Sequence, residues 1–583
     1  MSMVKLKNST SRNAFDLSRR NAYTAKVGEL LPVACIECIP GDKIKGRVQH
    51  FTRTIPVNTA AYTRIREYYD WFFVPTNLLW NKFNSFVTQM TNNSQHAASL
   101  YSTLKLGDTH PYLSTNQVAS YINQMHAQLK TNMFGFSRAE LSAKLLNYLG
   151  YGDFSKALVS TTGQYKYDAN LNPFPLLAYQ KIYQDYFRNS QWEDSAANTF
   201  NLDFMPSTNT SSYNINTSLL TSSEVINNDN LFDLKYCNWN KDLFMGVLPS
   251  AQYGASATIQ APTAESFQYV FNVSGQNTAL ASSSTLTTGG SITNIDGIDT
   301  RKLIDAGTKI ATNVMSKEQL QQLQSSIANF SILALRQAEA LQKWKEITQS
   351  QQQDYKAQIE AHFGVSMSDA YSERCKYVDG SVSNLDISEV TNTNITGDNA
   401  SDIAGKGVGV GDGSINFESN VHGYLICIYH ATPLLDYALT GINRTNLKTT
   451  ATDYAIPEFD RTGMVSVPVV ELTNSSNLSI NFEHLGYAPR YYEYKQAYDE
   501  VHGAFRNTLG SWVAPVSDNY LTTYLNGRTA LSLDYKFFKV NPATLNPIFA
   551  VEADSSVDTD QLLINASFDI TAVRNLDRNG LPY

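Results

Sequence analysis

LLINASFDITAV, residues 562–573, decides the fold. Leu562, Ile564, Ala566, Phe568 and Ile570 fall on one side of an extended chain. Asn565, Ser567, Asp569 and Thr571 fall on the other. A period of two with one apolar side marks a half-buried antiparallel strand. Similar runs occur at Arg47–Val57, Arg64–Val74, Val421–His430, Met464–Val470 and Leu533–Val540. They are β-branched and aromatic, and most are bounded by Gly, Pro, Asn or Asp. The strands gather in two blocks, 30–75 and 415–573. The first block cannot make a stable sheet without the second. A single antiparallel β-sandwich closed by distant parts of the chain is therefore predicted, although 583 residues alone would suggest about three or four domains.

Between the blocks the period changes to that of helices. A helix is expected from Pro75-Thr76, with Leu79, Phe83, Phe86, Val87 and Met90 on one face. Ser114 caps Thr115–Leu129, with Val118, Tyr121, Ile122 and Met125 inward. Ser137 and Glu140 make a capping box ahead of Leu141–Leu149. Pro175 opens Leu176–Arg188, with Leu176, Tyr179, Tyr183 and Phe187 in register. Ser316 and Gln319 open a helical region reaching Phe363, with Leu320, Leu323, Ile327, Leu341 and Trp344 inward. It breaks near Gln351–Gln353 and stops at a left-handed Gly364. The predicted organisation is a basic N-terminal arm over 1–29 and a sandwich domain over 30–583. Helical insertions fill 76–253 and 316–364. The Ala/Ser/Thr/Gly-rich stretch 254–315 reads as a long surface loop, and a loop that long is functional or disordered.

Charged residues make up 17% of the chain, below the roughly 25% of typical soluble domains. Neutral polar residues and 34 Tyr fill the difference, which suits a surface that buries itself against copies. The net charge of −8 argues against a generic nucleic-acid binder, but its distribution is uneven. Residues 1–66 hold twelve Lys or Arg against four Asp or Glu, leaving −16 on the remainder. A basic end on an acidic body is expected where one end meets a polyanion. Lys5, Lys7, Arg12, Arg19, Arg20 and Lys26 are the candidate polyanion-binding residues, with a disordered, solvated tail as the alternative. The opening MSMVKLKNSTSRNAFDLSRR lacks an apolar core, and no run approaches the ~18 apolar residues of a membrane span. Five scattered cysteines make no disulfide framework, in keeping with a reducing compartment.

His484 to Thr508, HLGYAPRYYEYKQAYDEVHGAFRNT, is crowded with tyrosines and carries two arginines but few aliphatic residues. Tyr and Arg are favoured at interfaces because each joins a broad contact face to a polar end. Pro489, Gly486 and Gly503 break regular structure. Tyr487, Arg490, Tyr491, Tyr492, Tyr494, Tyr498 and Arg506 are therefore the candidate inter-subunit contacts.

GYAPRYYEYK and VHGAFR in this stretch resemble a signature of the major capsid proteins of microviruses, nearest the gokushovirus-like branch of these single-stranded DNA phages. Further resemblances follow in chain order. They are FDLSRRNAYTAKVGELLPVACIECIPGD (Phe15–Asp42), YYDWFFVPTNLLW (Tyr68–Trp80), PLLAYQKIYQDYFR (Pro175–Arg188), LRQAEALQKWKE (Leu335–Glu346) with HFGV (His362–Val365), VHGYLICIYHA (Val421–Ala431) and NPIFAVEAD (Asn546–Asp554). The resemblance implies a single eight-stranded jelly roll with long, partly helical insertions between strands. It implies self-assembly into a T=1 icosahedral shell around circular single-stranded DNA. The implied partners are minor capsid or pilot proteins, scaffolding proteins, a small DNA-binding protein and a glycan or protein receptor on the host. The virion is the implied location, with host cytoplasm during assembly. The loop 254–315 takes the place of the insertion that forms surface protrusions in gokushoviruses, with Asp194–Asn230 as a rival.

No motif points to catalysis, a metal or a cofactor. Cys35-Ile-Glu-Cys38 matches C-x-x-C, but it sits in a strand-like run that would send the two thiols to opposite faces, and no second pair completes a zinc site. GKGVGVGDG, Gly405–Gly413, lacks the Lys-Ser/Thr ending of a phosphate loop and reads as a flexible turn. The acid pairs Glu458/Asp460 and Asp499/Glu500 read as solvated charges or interface hydrogen bonds. His422 and His502, each before a Gly, read as structural hydrogen-bonding residues. Two other classes fit part of the pattern. One is a carbohydrate-binding jelly-roll adhesin or lectin, favoured by neutral polar loops and aromatics. The other is a glycan-cleaving β-sandwich, which needs an opposed carboxylate pair.

Overall fold

The computed structural model describes residues 12–58, 61–88, 110–155, 168–205, 229–257, 270–273, 276–279, 332–369, 372–391, 403–438, 440–474, 484–516 and 533–578. Two compact units are present: residues 1–251 with 351–583, and residues 252–350.

The first unit is built on one antiparallel ladder of nine strands. They are β1 Asn13–Asp16, β2 Arg19–Ala25, β3 Leu31–Cys38, β4 Lys43–Thr54, β5 Ile65–Pro75, β6 Lys376–Thr391, β7 Ile403–Glu418, β8 Gly423–Pro433 and β9 Leu562–Arg574. β1 and β2 are one strand with a break. Asp16 faces Thr571 and Arg19 faces Phe568, so the register is the same on both sides of Leu17-Ser18. The gap is bridged by the Leu17 amide donating to the Ile570 carbonyl and the Ile570 amide donating to Ser18 Oγ. Eight strand positions result. Counted along the chain, the first pairs with the eighth, the second with the seventh, the third with the sixth and the fourth with the fifth. That nesting, wound so that β9 also pairs with β4 and β8 with β5, is a jelly roll.

The ladder folds into two facing sheets, β1/β2-β9-β4-β7 and β6-β5-β8-β3. Trp71 of β5 meets Phe568 of β9 edge to face at 6.2 Å, and Phe73 of β5 meets Phe417 of β7 at 4.8 Å. Even-numbered residues of β4 and β9 point into this core while odd-numbered ones face out. The glycine run of β7 is not a turn. Its glycines point inward, where a Cβ at Gly409 would collide with the Glu67 carboxylate and one at Gly411 with the His50 imidazole. Small residues are required there because a buried polar cluster fills the space.

The outer face of the second sheet is roofed by helical insertions. These are α1 Phe83–Thr88, α2 Thr115–Ala127, α3 Arg138–Tyr148 and α4 Phe174–Ile182, the last continued by a wider turn, Tyr183–Phe187. Val118, Tyr121, Ile122 and Met125 are buried, and Ser114 with Gln117 forms a full capping box. Ser137 precedes α3 without a side-chain cap, so the expected Ser137/Glu140 box is absent. The helix expected after Thr76 is a short 3-10 turn followed by α1, and Met90 lies outside the described residues. Phe72 of β5 packs against Tyr186 at 4.8 Å, and Tyr179 donates to the Leu30 carbonyl. A buried ionic quartet ties strand, helix and C-terminal segment together. Lys26 Nζ lies 2.6 Å from Asp560, and Lys144 Nζ lies 2.7 Å from Glu29 and 2.9 Å from Asp560.

Met464–Pro468 is a strand, but it pairs with His484–Pro489 in a separate hairpin. Leu533–Val540 is not a strand; Tyr535–Phe538 makes a 3-10 turn that buries Phe537 and Phe538. The apolar run there is satisfied by packing rather than by a ladder.

In the second unit, α5 (Ile332–Ser350) carries Leu341 and Trp344, expected inward, with about half of each exposed. Trp344 stands perpendicular to Tyr253 at 6.4 Å. Leu320, Leu323 and Ile327 lie outside the described residues, as does most of 254–315. Returning to the first unit, α6 (Tyr355–Phe363) ends at Gly364 with φ +68°, the expected left-handed stop.

Candidate functional site

Residues 436–438, 440–474 and 484–516 form a shelf of short turns beside the jelly roll. Asp436-Tyr437 pairs in parallel with 515–516, the Tyr437 amide donates to the Asp499 carbonyl, and Leu248 and Tyr487 exchange backbone hydrogen bonds. Tyr492 is the anchor beneath. It is 1% exposed and donates a 2.5 Å hydrogen bond to Glu471, itself buried. Burial pushes the Glu471 carboxyl up to about 7, against the opposing pull of the Tyr492 hydroxyl and of Arg444 at 3.8 Å. Tyr491 is also buried, with φ +61°. Tyr491 and Tyr492, expected among the contact residues, are instead internal supports. Tyr498 is half-buried against Phe244 at 4.8 Å, and Tyr487 is half-buried in the hairpin.

Cations alternate with rings across the shelf, some of them buried. Arg490 lies 5.6 Å from the Phe459 ring and 5.3 Å from the Tyr491 ring, and donates to Thr462. Lys448 sits 4.0 Å over the Tyr494 ring and 2.8 Å from Glu493. Tyr494 and Arg506 are exposed, joined by Ile442, Tyr454, Phe459 and Leu509. Tyr62 is 67% exposed and packs beside Phe505 and Trp512. Large apolar groups grouped on a surface mark a contact site. Tyr62, Tyr454 and Phe459 escape sequence reading because no local period links them; only the fold brings them to Tyr494 and Phe505.

The basic N-terminal residues do not form one patch. Lys5 and Lys7 lie outside the described residues. Arg12 lies beside the Gly41-Asp42 turn, and Arg19 and Arg20, successive on β2, project to opposite sides. Lys26 does not belong with them. It is fully buried and its ammonium is held by Asp560. Arg20 reaches the outer face of the first sheet, donating a 2.6 Å hydrogen bond to Asn565. Its companions there are Lys43, Lys45, Arg47 and Arg53, four of the six outward positions of β4. The sequence signal was present in KIKGRVQHFTRT, where basic residues keep the period of two.

Cys35 and Cys38 lie on β3 as free thiols, each pushed up to about 12 by burial. A reactive thiol needs the opposite shift. Asp460 pairs with Lys495, Asp499 with Arg64, and Glu500 with the exposed His502. The His422 carbonyl accepts from the Thr76 amide. Among the described residues no group of three or more His, Cys, Asp or Glu is placed to hold a metal, and no helix is long and apolar enough to cross a membrane.

A jelly roll with one roofed sheet and an aromatic shelf defines a β-sandwich of the architecture found in viral capsid subunits and in lectins alike. Sequence comparison separates the two. The profile of the capsid protein (F protein) family matches residues 2–133 and 157–582, and the chain belongs to this family. It is similar to capsid protein VP1 of Chlamydia phage 1, 24% identical over 86% of each chain. It is also similar to capsid protein VP1 of Bdellovibrio phage phiMH2K, 23% identical over 98% of this chain and 95% of that one.

Proposed function

We propose that this capsid protein assembles with copies of itself into a closed T=1 icosahedral shell enclosing circular single-stranded DNA. The shelf at 436–516 carries the proposal. A closed shell requires each copy to present different patches at its different symmetry contacts. Exposed Tyr494, Tyr454, Phe459 and Arg506, backed by buried Tyr491 and Tyr492, would supply one such patch. Lys5, Lys7, Arg12, Arg19 and Arg20 are proposed to meet phosphate inside the shell, an attraction that weakens steeply with salt. The insertion 254–315 is proposed to face outward and contact the host receptor, with pilot, scaffolding and small DNA-binding proteins as further partners.

Electron cryomicroscopy of virions, or of particles from co-expression with the phage's assembly proteins, tests the reading. Closed icosahedral particles with residues 436–516 at contacts between copies are expected. Soluble monomers or trimers with glycan affinity would replace it with the adhesin reading.

A further inference from the structure

The second sheet is roofed, whereas among the described residues no helix or loop covers the middle of the outer face of the first, β1/β2-β9-β4-β7. At its middle lies a trough of about 480 Å³ lined by Arg20, Arg47, Gln49, Phe51, Val410 and Asn565, among others. We infer that this trough is a stacking subsite for single-stranded nucleic acid, with Phe51 as the base platform and Arg20, Arg47 and Lys45 as phosphate contacts. The inference rests on the capsid reading and assigns that DNA a docking face.

Phe51 is exposed on a strand face, with Val410 opposite it on β7 and Asn565 opposite it on β9. The Arg53 guanidinium lies 5.0 Å from its ring, so a cation–aromatic pair faces solvent. A ring flanked by guanidinium groups binds bases of any sequence, because every base presents a π-face. Gln49 and Asn565 add amide donors and acceptors at the trough walls.

Charge complementarity points the same way. The face carries Arg20, Lys43, Lys45, Arg47, Arg53 and Lys406 against Asp16, Asp412, Asp569 and Glu418, on a chain whose net charge is −8. Lys45 and Arg53 have no carboxylate partner among the described residues. Arg47 pairs with Asp412 at 2.8 Å, but both side chains are more than half exposed. Such pairs contribute little and are readily exchanged for a phosphate. The segment containing Lys5 and Lys7 joins β1 at the edge of this same sheet, so the basic chain end and the basic face are covalently continuous.

The test uses the full-length protein and a fluorescent oligothymidylate, with anisotropy measured across a salt series. Wild-type protein that binds no oligonucleotide, together with DNA-free shells, would remove the function on which the site depends. With wild-type binding established, Phe51→Leu is expected to weaken affinity about tenfold with the salt slope unchanged. Lys45→Gln is expected to lower that slope by about one. Wild-type affinity and slope in both variants, in protein that still assembles, would overturn the subsite and leave the capsid role standing. Photo-crosslinking of the oligonucleotide to the β4 peptide is the independent readout; crosslinks confined to other peptides would also overturn it.

Discussion

Thr52 donates a 2.6 Å hydrogen bond to the Glu67 carboxylate, from the inner face of one sheet to the inner face of the other. Tyr429 donates to the same oxygen at 2.8 Å, and His50 packs against Tyr69 in a tilted pair with ring centroids 4.5 Å apart. The jelly roll therefore has a polar interior at one end, and β7 must lie close over it.

Gly409→Ala is expected to destabilise the subunit by about 1–3 kcal/mol, because the added methyl meets the Glu67 carboxylate in a space already filled. Thermal unfolding of the unassembled protein measures it. Val410→Ala, on the solvent side of the same strand, is the control; equal melting temperatures for the two variants would refute the inward placement.

Two buried groups impose opposite pH dependences. Burial holds His50 down at about 4, so the unfolded chain takes up a proton before the native one does, and stability from His50 falls as pH drops from about 6.5 toward 4. Burial holds Glu471 up at about 7, so its contribution is fully present below about 4.5 and is lost as pH rises through 7. His50→Gln is expected to flatten the acid limb of a denaturant-stability profile. Glu471→Gln is expected to remove the decline between about 4.5 and 7. Unchanged slopes would contradict the assigned burial.

Lys26→Met is expected to cost about 3–5 kcal/mol, since it removes a cation from a buried quartet and leaves Asp560 with Lys144 as its one cation beside the Thr24 hydroxyl. Urea unfolding is the measurement. If Lys26 instead touched DNA, the variant would unfold like wild type and change only the salt dependence of binding.

Tyr494→Ala with Arg506→Ala is expected to leave monomer melting within about 0.5 kcal/mol of wild type while lowering particle yield several-fold, because both side chains are exposed. Tyr492→Phe should do the reverse, destabilising the monomer by about 1–3 kcal/mol by stripping the buried Glu471 of its donor. Sucrose-gradient sedimentation paired with thermal unfolding separates the effects. Full assembly by the double variant would remove the shelf from the contacts.

Locally encoded features were legible in the chain. The Ser114 cap, the Gly364 stop and the alternation in β9 each depend on residues within a few positions of one another, whereas the Gln117 half of the Ser114 box was not read and the Ser137/Glu140 box did not form. β6 and β7 were not legible. Their Ser, Asn and Gly content reads as loop; they are strands because they pair with β5, β4 and each other, and the β7 glycines fit there because Thr54, Glu67 and His50 occupy the room that larger side chains would need. Leu533–Val540 erred the other way, as its apolar residues pack without a neighbouring strand.

By itself the sequence determined that distant strand blocks must share one sandwich, since half-buried alternation leaves each block an apolar face it cannot cover alone. Only the tertiary structure decided which cations stay free. Lys26 and Arg20 are alike in composition, yet one closes a buried ionic quartet and the other lies on an open sheet face. Strand parity and the position of Asp560 set that difference, and both arise from pairings between opposite ends of the chain.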